Sequence, residues 1–555
     1  MSVHAMIWFT DNSRPVSRGY AEEAVAGDVT MPKRALRSND PVHHRPSRSG
    51  TQRGLALIVS ICVGFPLALA AATGSLAIPH NDAWSHSKIA RVFAMTGHLE
   101  LLGWNRTALV GQIVVLGPLG RSVVIQQVFV ACLAVVALLA SYLFLAPRVG
   151  RNRALFGTAV AGLVPEFGLL ATSYMSDMPA FAAFMASLVL GDRALRRHSQ
   201  LLLAASLAVG MWGVTIREQV LVVPVSILII AVREWKGRPR LLAGLQAVAL
   251  VVVLAVFEQW RRSLPLGDSP LLRLDLTNAS TTLLEALTAL ALYLLPVALL
   301  LARPIAWSVR ARWAGAVSAL VIFALTQVLP RPFSRNYIDP SGSYSDVFLG
   351  HRVVFSAPVW TLILIATSIS AGLLVGILVE HGTRWDRLTA TTGILFGLGV
   401  LGQAAAGQLP FSRYLIPAVP LLCSVLLATR VGPRRVLGTT GLAFMLALTV
   451  ALTSNALSYD AARWHTASGL QSQGVRATDI DAGLEWLGWH SDGPARYGSG
   501  PKGAGGLTTL FHDTRACYVV SASPLPGLET IAIRTYRTFA VVGTSRLWIQ
   551  KPTSC

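Results

Sequence analysis

After its first long apolar run the chain reads IPHNDAWSHSKIARVFAMTGHLELLGWN, residues 78–105, which places His80, Asp82, Lys88 and Arg91 in one short stretch. A carboxylate there can act as a general base that takes a proton from a hydroxyl. Basic groups beside it can hold a phosphate. Three more segments set acids or bases beside apolar runs: Glu166 and Asp177 in VPEFGLLATSYMSDMPAF, Arg217 and Glu218 in TIREQ, and Arg413 in PFSRYLIPAVP. Ionisable groups within or at the ends of membrane helices are costly to place and mark functional sites by default. Each also has a plainer reading. Asn81 or Asp82 can cap the helix that follows, and Asp177 can do so ahead of Pro179. Arg217 and Glu218 can pair with each other or with neighbouring helices, and Arg413 can snorkel to an interface. Glu166 has to face a cavity or find a partner, with Arg217 the candidate. His80 and His86 flank Asp82, a weak pattern for a metal, and read most simply as solvated loop histidines.

The surrounding chain sets where these residues can meet. Hydrophobic residues make up 53% of its 555 residues and charged ones 13%, with mean hydropathy +0.55. A soluble chain carries roughly 25% charged residues. The apolar residues come in blocks near the roughly 17–25 residues that cross a bilayer. The chain therefore reads as a polytopic membrane protein. Its net charge of +20 lies in short clusters between the blocks: Arg148, Arg151 and Arg153; Arg193, Arg196 and Arg197; Arg233, Lys236, Arg238 and Arg240; Arg430, Arg434 and Arg435. Basic clusters of this kind mark cytoplasmic loops and do not form the continuous patch that nucleic acid requires.

Residues 1–53 are polar, rich in Arg, Ser and Pro, and lack apolar periodicity. They are expected to form a disordered basic cytoplasmic tail, with Met31 as an alternative start. The block that follows is too long for the core of a cleaved signal and is expected to stay as an anchor. With the N-terminus inside, apolar blocks fall at 54–78, 122–146, 154–173, 178–192, 200–215, 218–232 and 241–259. Further blocks fall at 283–302, 312–330, 356–379, 388–408, 412–429 and 436–454. The expectation is an all-α membrane domain over 54–454 with about 13 spans. An odd number leaves residues 455–555 outside as a small extracytoplasmic α/β domain. No strong internal repeat supports an inverted-repeat transporter.

In the first outer loop, 79–121, the stretch from Trp84 to Thr96 has helical spacing. Ile89, Val92, Phe93 and Thr96 share one side, and Trp84, Lys88 and Arg91 share the other. Such a helix is expected to lie in the membrane interface with its basic groups near lipid phosphates. In the outer tail, YDAARWHTASGLQSQG reads as a helix, and ACYVVSAS, TIAIRTY and SRLWIQK read as strands. Cys517 and Cys555 lie in this exported part, where a disulfide is the hypothesis and two free thiols the alternative. Cys62, Cys132 and Cys423 fall in apolar helices as core residues.

The motifs HNDAW, SYMSDMPAF and SRYLIPAVP, in that order along alternating spans, resemble the GT-C membrane glycosyltransferases. Within them the match is to the family 39-like branch of protein O-mannosyltransferases and lipid A aminoarabinose transferases. The resemblance covers 54–454. It implies inverting transfer of a hexose or pentose from a polyprenyl-phosphate donor to a protein, lipid or glycan acceptor. The reaction would take place at the outer face of the plasma (inner) membrane. Under this resemblance Asp82 is the general base and Asp177 the second acid that shapes the site. Tyr174, Glu218 and Tyr414 contact substrate, and Lys88, Arg91, Arg217 and Arg413 hold the donor phosphate. Of these four, Arg413 alone lies in a matching motif. Many relatives carry two adjacent acids where this chain has Asn81 and Asp82, so a divalent metal stays an open question. Two other classes remain beside the enzyme: a transporter or flippase of a lipid-linked or anionic solute, and a non-catalytic scaffold.

Overall fold

A computed structural model describes residues 48–102, 110–264, 274–329, 331–334, 336–345, 348–408, 410–493, 495, 510–553 and 555. The expected disordered tail lies, up to residue 47, outside the described residues. Its last residues are instead helical, because α1 (Arg48–Val59) begins before the apolar run and continues through a π-turn into α2 (Phe65–Thr73). Next come α3 (Ala83–Thr96), α4 (Gly111–Leu116), α5 (Val123–Val149), α6 (Arg151–Gly162), α7 (Phe167–Leu170) and α8 (Asp177–Arg197). They are followed by α9 (Gln200–Val214), α10 (Val222–Glu234), α11 (Gly237–Ser263), α12 (Leu276–Tyr293) and α13 (Leu295–Leu301). The last helices of the membrane part are α14 (Val309–Val328), α15 (Ala357–His381), α16 (Arg387–Ala405), α17 (Ala418–Leu426) and α18 (Arg435–Ser472).

Among the described residues, eight helices are long and apolar enough to cross a bilayer, and nine if α12 and α13, bent by 58°, count as one span. The expected count of 13 is corrected by four apolar blocks that do not form long helices. The block at 154–173 breaks between α6 and α7 around Pro165, and 200–215 is the 15-residue α9. The block at 218–232 is a 3₁₀ turn, Glu218–Leu221, followed by the 13-residue α10. That at 412–429 is a 3₁₀ turn, Ser412–Leu415, followed by the 9-residue α17. The breaks coincide with Glu166, Arg217, Glu218 and Arg413. Non-helical backbone at membrane depth is tolerated where it is buried in protein or lines a cavity.

The chain is a multi-pass membrane protein that ends in a small four-stranded sheet. Its strands are β1 (Ile480–Asp481), β2 (Tyr518–Ser521), β3 (Leu528–Phe539) and β4 (Val542–Pro552), in the order β1-β2-β4-β3, with α19 (Leu484–His490) between β1 and β2. β1 runs parallel to β2, and the other neighbours are antiparallel. The stretch read as a separate tail helix is the upper part of the 38-residue α18, so the boundary expected at 454/455 falls inside one continuous helix. Tyr459 and Leu470 of α18 pack with Ile480, Trp486, Val520, Leu547 and Ile549 in the core of this domain. Cys517 and Cys555 form a disulfide with Cα atoms 5.5 Å apart, consistent with an extracytoplasmic place for the sheet. Cys62 and Cys423 are buried as expected, whereas Cys132 is exposed on α5.

Candidate functional site

The first span ends in a 3₁₀ turn, Ser75–Ala77, and the chain then turns sharply through His80 and Asn81. Asn81 has φ 49°, in the left-handed region that Asn tolerates better than most residues. Two glutamines of α5 pin this loop by its backbone: Gln127 donates to Ile78 O at 2.6 Å and Gln126 to Ser87 O at 3.1 Å. His80 is fixed from the far end of the chain, its Nδ1 lying 2.8 Å from Asp460 Oδ2 on α18. Asp460 is also 3.1 Å from Arg463, which meets Glu485 of α19.

Asp82 stands at the N-terminus of α3, but its side chain makes no capping hydrogen bond. Its carboxylate lies 3.6 Å from Arg413 Nη2. Asp177 opens α8 and does not act as the cap either, since that position belongs to Ser176. Asp177 Oδ1 lies 3.4 Å from Arg413 Nε and 3.2 Å from Arg217 Nη1. The four side chains thus alternate in sign as Asp82, Arg413, Asp177, Arg217, with formal charges that cancel. Cancellation is what makes burial of such a set tolerable. Tyr337 accepts a hydrogen bond from Arg413 Nη1 at 3.0 Å, and Ser176 Oγ accepts from Arg217 Nη2 at 3.1 Å. Arg217 lies over the ring of Tyr414 at 4.2 Å, and Arg413 over that of Phe411 at 4.5 Å. Arg413 and Asp177 are 3% and 4% exposed, against 19% for Asp82. Asp82 is therefore the open carboxylate of the set. Both carboxylate oxygens of Asp177 lack a hydrogen bond among the described residues.

A small, partly open cleft adjoins this ion chain. Asp177, Arg217, Gln219, Arg413 and Tyr414 form its polar lining, and Met178, Ala180, Phe181, Phe184, Val220, Ile416 and Pro417 its apolar lining. Asp177, Phe181 and Phe184 follow one face of α8 at helical spacing. The lining along that helix therefore changes from charged to aromatic over roughly 10 Å.

Glu166 does not pair with Arg217, which is committed to Asp177. Its Oε1 accepts hydrogen bonds from Tyr293 OH at 2.5 Å and Ser412 Oγ at 2.6 Å. Because Ser412 precedes Arg413, Glu166 anchors the turn that carries the arginine. Glu218 lies 3.7 Å from Arg261 of α11 and also does not pair with Arg217. Tyr174 is buried, outside the cleft lining, and its hydroxyl has no hydrogen bond among the described residues.

Lys88 and Arg91 stand apart from the ion chain. The ammonium of Lys88 donates to Ser491 O and Gly488 O, and Arg91 lies 5.8 Å from the Trp489 ring. Trp84 meets Phe511 edge-on at 5.6 Å. The side of α3 expected to face lipid phosphates therefore carries the C-terminal domain. Its carbonyls and rings fit the basic and aromatic groups better than an open interface would. His86 is buried and not the solvated loop residue expected. Burial pulls its pKa down to about 4, opposed by Asp82 and Asp177 and reinforced by Arg217 and Arg413.

Among the described residues no group of three or more His, Cys, Asp or Glu side chains converges as a metal cradle. His80 turns to Asp460, and Asp82 and Asp177 face guanidinium groups, so the residues around Asp82 do not fit a divalent cation. Sequence reasoning missed Tyr337, Ser176 and the pairing of His80 with Asp460. Tyr337 sits in RNYIDP between apolar blocks with no spacing signal. No protein-family model matches the chain, and neither does any curated protein sequence.

Proposed function

We propose that the chain is an integral membrane glycosyltransferase that moves a hexose or pentose from a polyprenyl-phosphate donor to an acceptor hydroxyl with inversion. The carrying observation is the pairing of Asp82, the most open carboxylate of the ion chain, with a buried arginine beside a cleft that is charged at one part and apolar at another. A donor of this class is itself a phosphate joined to an apolar chain. The order of the motifs HNDAW, SYMSDMPAF and SRYLIPAVP supports the same reading.

In this mechanism Asp82 takes the proton from the acceptor hydroxyl as its oxygen attacks the anomeric carbon. The bond from that carbon to the phosphate oxygen breaks on the opposite face, and the electron pair leaves with the phosphate. Arg217, the more open of the two arginines, meets the charge that develops there, with Arg413 behind it. The planar guanidinium suits a phosphate because it offers two parallel donors and stays charged at depth. Asp177 keeps both arginines in place between turnovers. Lys88 and Arg91 hold the outer domain against α3 in this reading and leave the phosphate to Arg217 and Arg413.

Sugar transfer in membranes supplied with a panel of radiolabelled polyprenyl-phosphate sugars tests the proposal, with wild type, Asp82→Asn and Arg217→Gln at matched expression. Loss of a general base costs on the order of 10²–10⁴-fold in rate, and Asp82→Asn should show a loss of that size with an unchanged elution profile. If no donor is consumed, or Asp82→Asn matches wild type, the enzyme reading fails and the transporter and scaffold readings take its place.

A further inference from the structure

The last two strands of the outer domain form a long hairpin whose turn comes back to the membrane part. β3 and β4 pair from Leu528↔Pro552 down to Phe539↔Val542, with Ala540 and Val541 in the turn. Two hydrogen bonds fix the level of that turn on α18. Asn455 Nδ2 donates to Thr538 O at 3.0 Å, and Ala540 N donates to Ser458 Oγ at 2.7 Å. α18 begins at Arg435, and about 20 helical residues cross a hydrocarbon core of about 30 Å. Asn455 and Ser458 therefore stand where α18 leaves the bilayer, and the hairpin turn lies at the membrane surface.

The turn has the wrong composition for one that faces only water. Turns favour Gly, Asn, Asp and Ser, yet Val541 and Val542 form this tip and are 80% and 65% exposed. Charge follows at a definite height. Tyr536 faces α18, where its ring meets Tyr459 at 6.0 Å, so the adjacent Arg537 points away from the helix. On β4, Leu547 is buried in the domain core, and the adjacent Arg546 points outward. The register sets Arg537 opposite Thr544 and Arg546 opposite Thr535. At about 3.4 Å per residue, Arg537 then lies roughly 7 Å and Arg546 roughly 14 Å along the hairpin from Val542. The headgroup layer on each side of the hydrocarbon is about 5–8 Å thick. From Thr530 to Lys551 the hairpin holds Arg534, Arg537, Arg546 and Lys551 and no acidic residue.

We infer that this hairpin docks on the leaflet from which the outer domain rises. Val541 and Val542 enter the interface, Arg537 binds the phosphates of anionic lipids at headgroup level, and Arg546, above that layer, adds longer-range attraction to the anionic surface. An apolar tip beneath a basic band is the pattern that binds a membrane surface, with strength growing with the anionic lipid fraction. Together with α18, the hairpin gives the domain a second foothold and sets its height over the membrane, whatever reaction the site performs.

The test uses the full chain in vesicles of phosphatidylcholine with one part in about three of phosphatidylglycerol. An environment-sensitive fluorophore is placed at Val541→Cys and, for comparison, at Glu529→Cys near the far end of β3, both in a Cys132→Ser background with the disulfide kept oxidised. The probe at 541 should be blue-shifted and quenched several-fold more than that at 529 by lipids bearing a nitroxide near the headgroup. Arg537→Glu with Arg546→Glu, or vesicles of phosphatidylcholine alone, should weaken the quenching. Equal, water-like behaviour of both probes would overturn the docking. A blue-shifted probe at 541 that lipid nitroxides leave unquenched would also overturn it, in favour of a protein contact. Quenching unchanged by the charge reversal would overturn the role of the two arginines.

Discussion

Arg413 Nη2 lies 3.6 Å from Asp82 Oδ2 and joins the loop after the first span to the turn that precedes α17. The same guanidinium reaches Asp177 with Nε and Tyr337 with Nη1. One side chain thus holds three segments that are far apart in the chain. Asp82 is 19% exposed, against 3% for the arginine it meets.

Removing Arg413 should destabilise the fold as well as silence the site. Arg413→Ala removes the ion pair to Asp82 and the Nε contact to Asp177. Breaking a buried pair by deleting one partner costs about 3–5 kcal/mol. Arg413→Lys keeps the charge but loses the fork that reaches Asp82, Asp177 and Tyr337 together. Thermal unfolding in detergent should rank wild type above Arg413→Lys and that above Arg413→Ala. An alanine variant that melts with wild type would show that the ion chain bears no structural load.

Glu166 should matter through the turn it anchors. Tyr293→Phe removes one of the two hydroxyls that donate to it, at a cost of about 1–3 kcal/mol. Glu166→Gln retains an acceptor oxygen for Ser412 and should be milder than Glu166→Leu, which frees Ser412 and the adjacent Arg413. Comparing transfer rate with thermal stability for the three variants checks this. Equal behaviour of the Gln and Leu variants would break the link between Glu166 and Arg413.

Two buried groups, one on α3 and one in β1, should bend the pH dependence of stability in opposite directions. His86 has a folded pKa of about 4 against 6.5 when exposed, mainly because of burial. The unfolded chain binds its proton first, so this contribution is complete above pH 6.5 and is lost as pH falls toward 4. Asp481 is pushed up to about 6 from 3.8 by burial, with the Gly483 N–H and Arg463 opposing. The folded chain then holds the proton longer, so stability falls as pH rises from 3.8 to 6. Each shift corresponds to roughly 3 kcal/mol, and the two largely cancel between pH 4 and 6. Asp481→Asn should therefore expose a steeper loss of stability toward acid than wild type shows. A denaturation series across that range that coincides with wild type would count against the raised Asp481.

The contact of the outer domain with α3 leaves no room at Gly488. A Cβ added there would lie 2.3–2.5 Å from ring atoms of Trp84, whose indole is itself buried. Gly488→Val should undock α19 from the loop that carries α3 and raise protease sensitivity within α19 itself. The oxidised Cys517–Cys555 pair should survive in the variant, which separates undocking from unfolding of the sheet. Wild-type protease resistance would mean the contact tolerates the extra methyl groups.

Much of this was legible along the chain, and the limits have identifiable causes. The apolar blocks, the residues at their ends, the strands of the C-terminal domain and the two cysteines that pair there all follow from local composition. A span is encoded locally because the hydrocarbon thickness demands a run of apolar residues of a given length. The breaks at Pro165, at Glu218–Leu221 and at Ser412–Leu415 carry no hydropathy signal that separates them from continuous helix. Hydropathy responds to side chains, whereas whether backbone groups may leave the helix depends on protein around them. Partner choice was decided only in three dimensions. Arg217 took Asp177 and left Glu166 to Tyr293 and Ser412, Lys88 turned to the outer domain, and His80 found Asp460 on α18. Charge type can be read from a sequence, but which opposite charge lies within 4 Å is a property of packed helices.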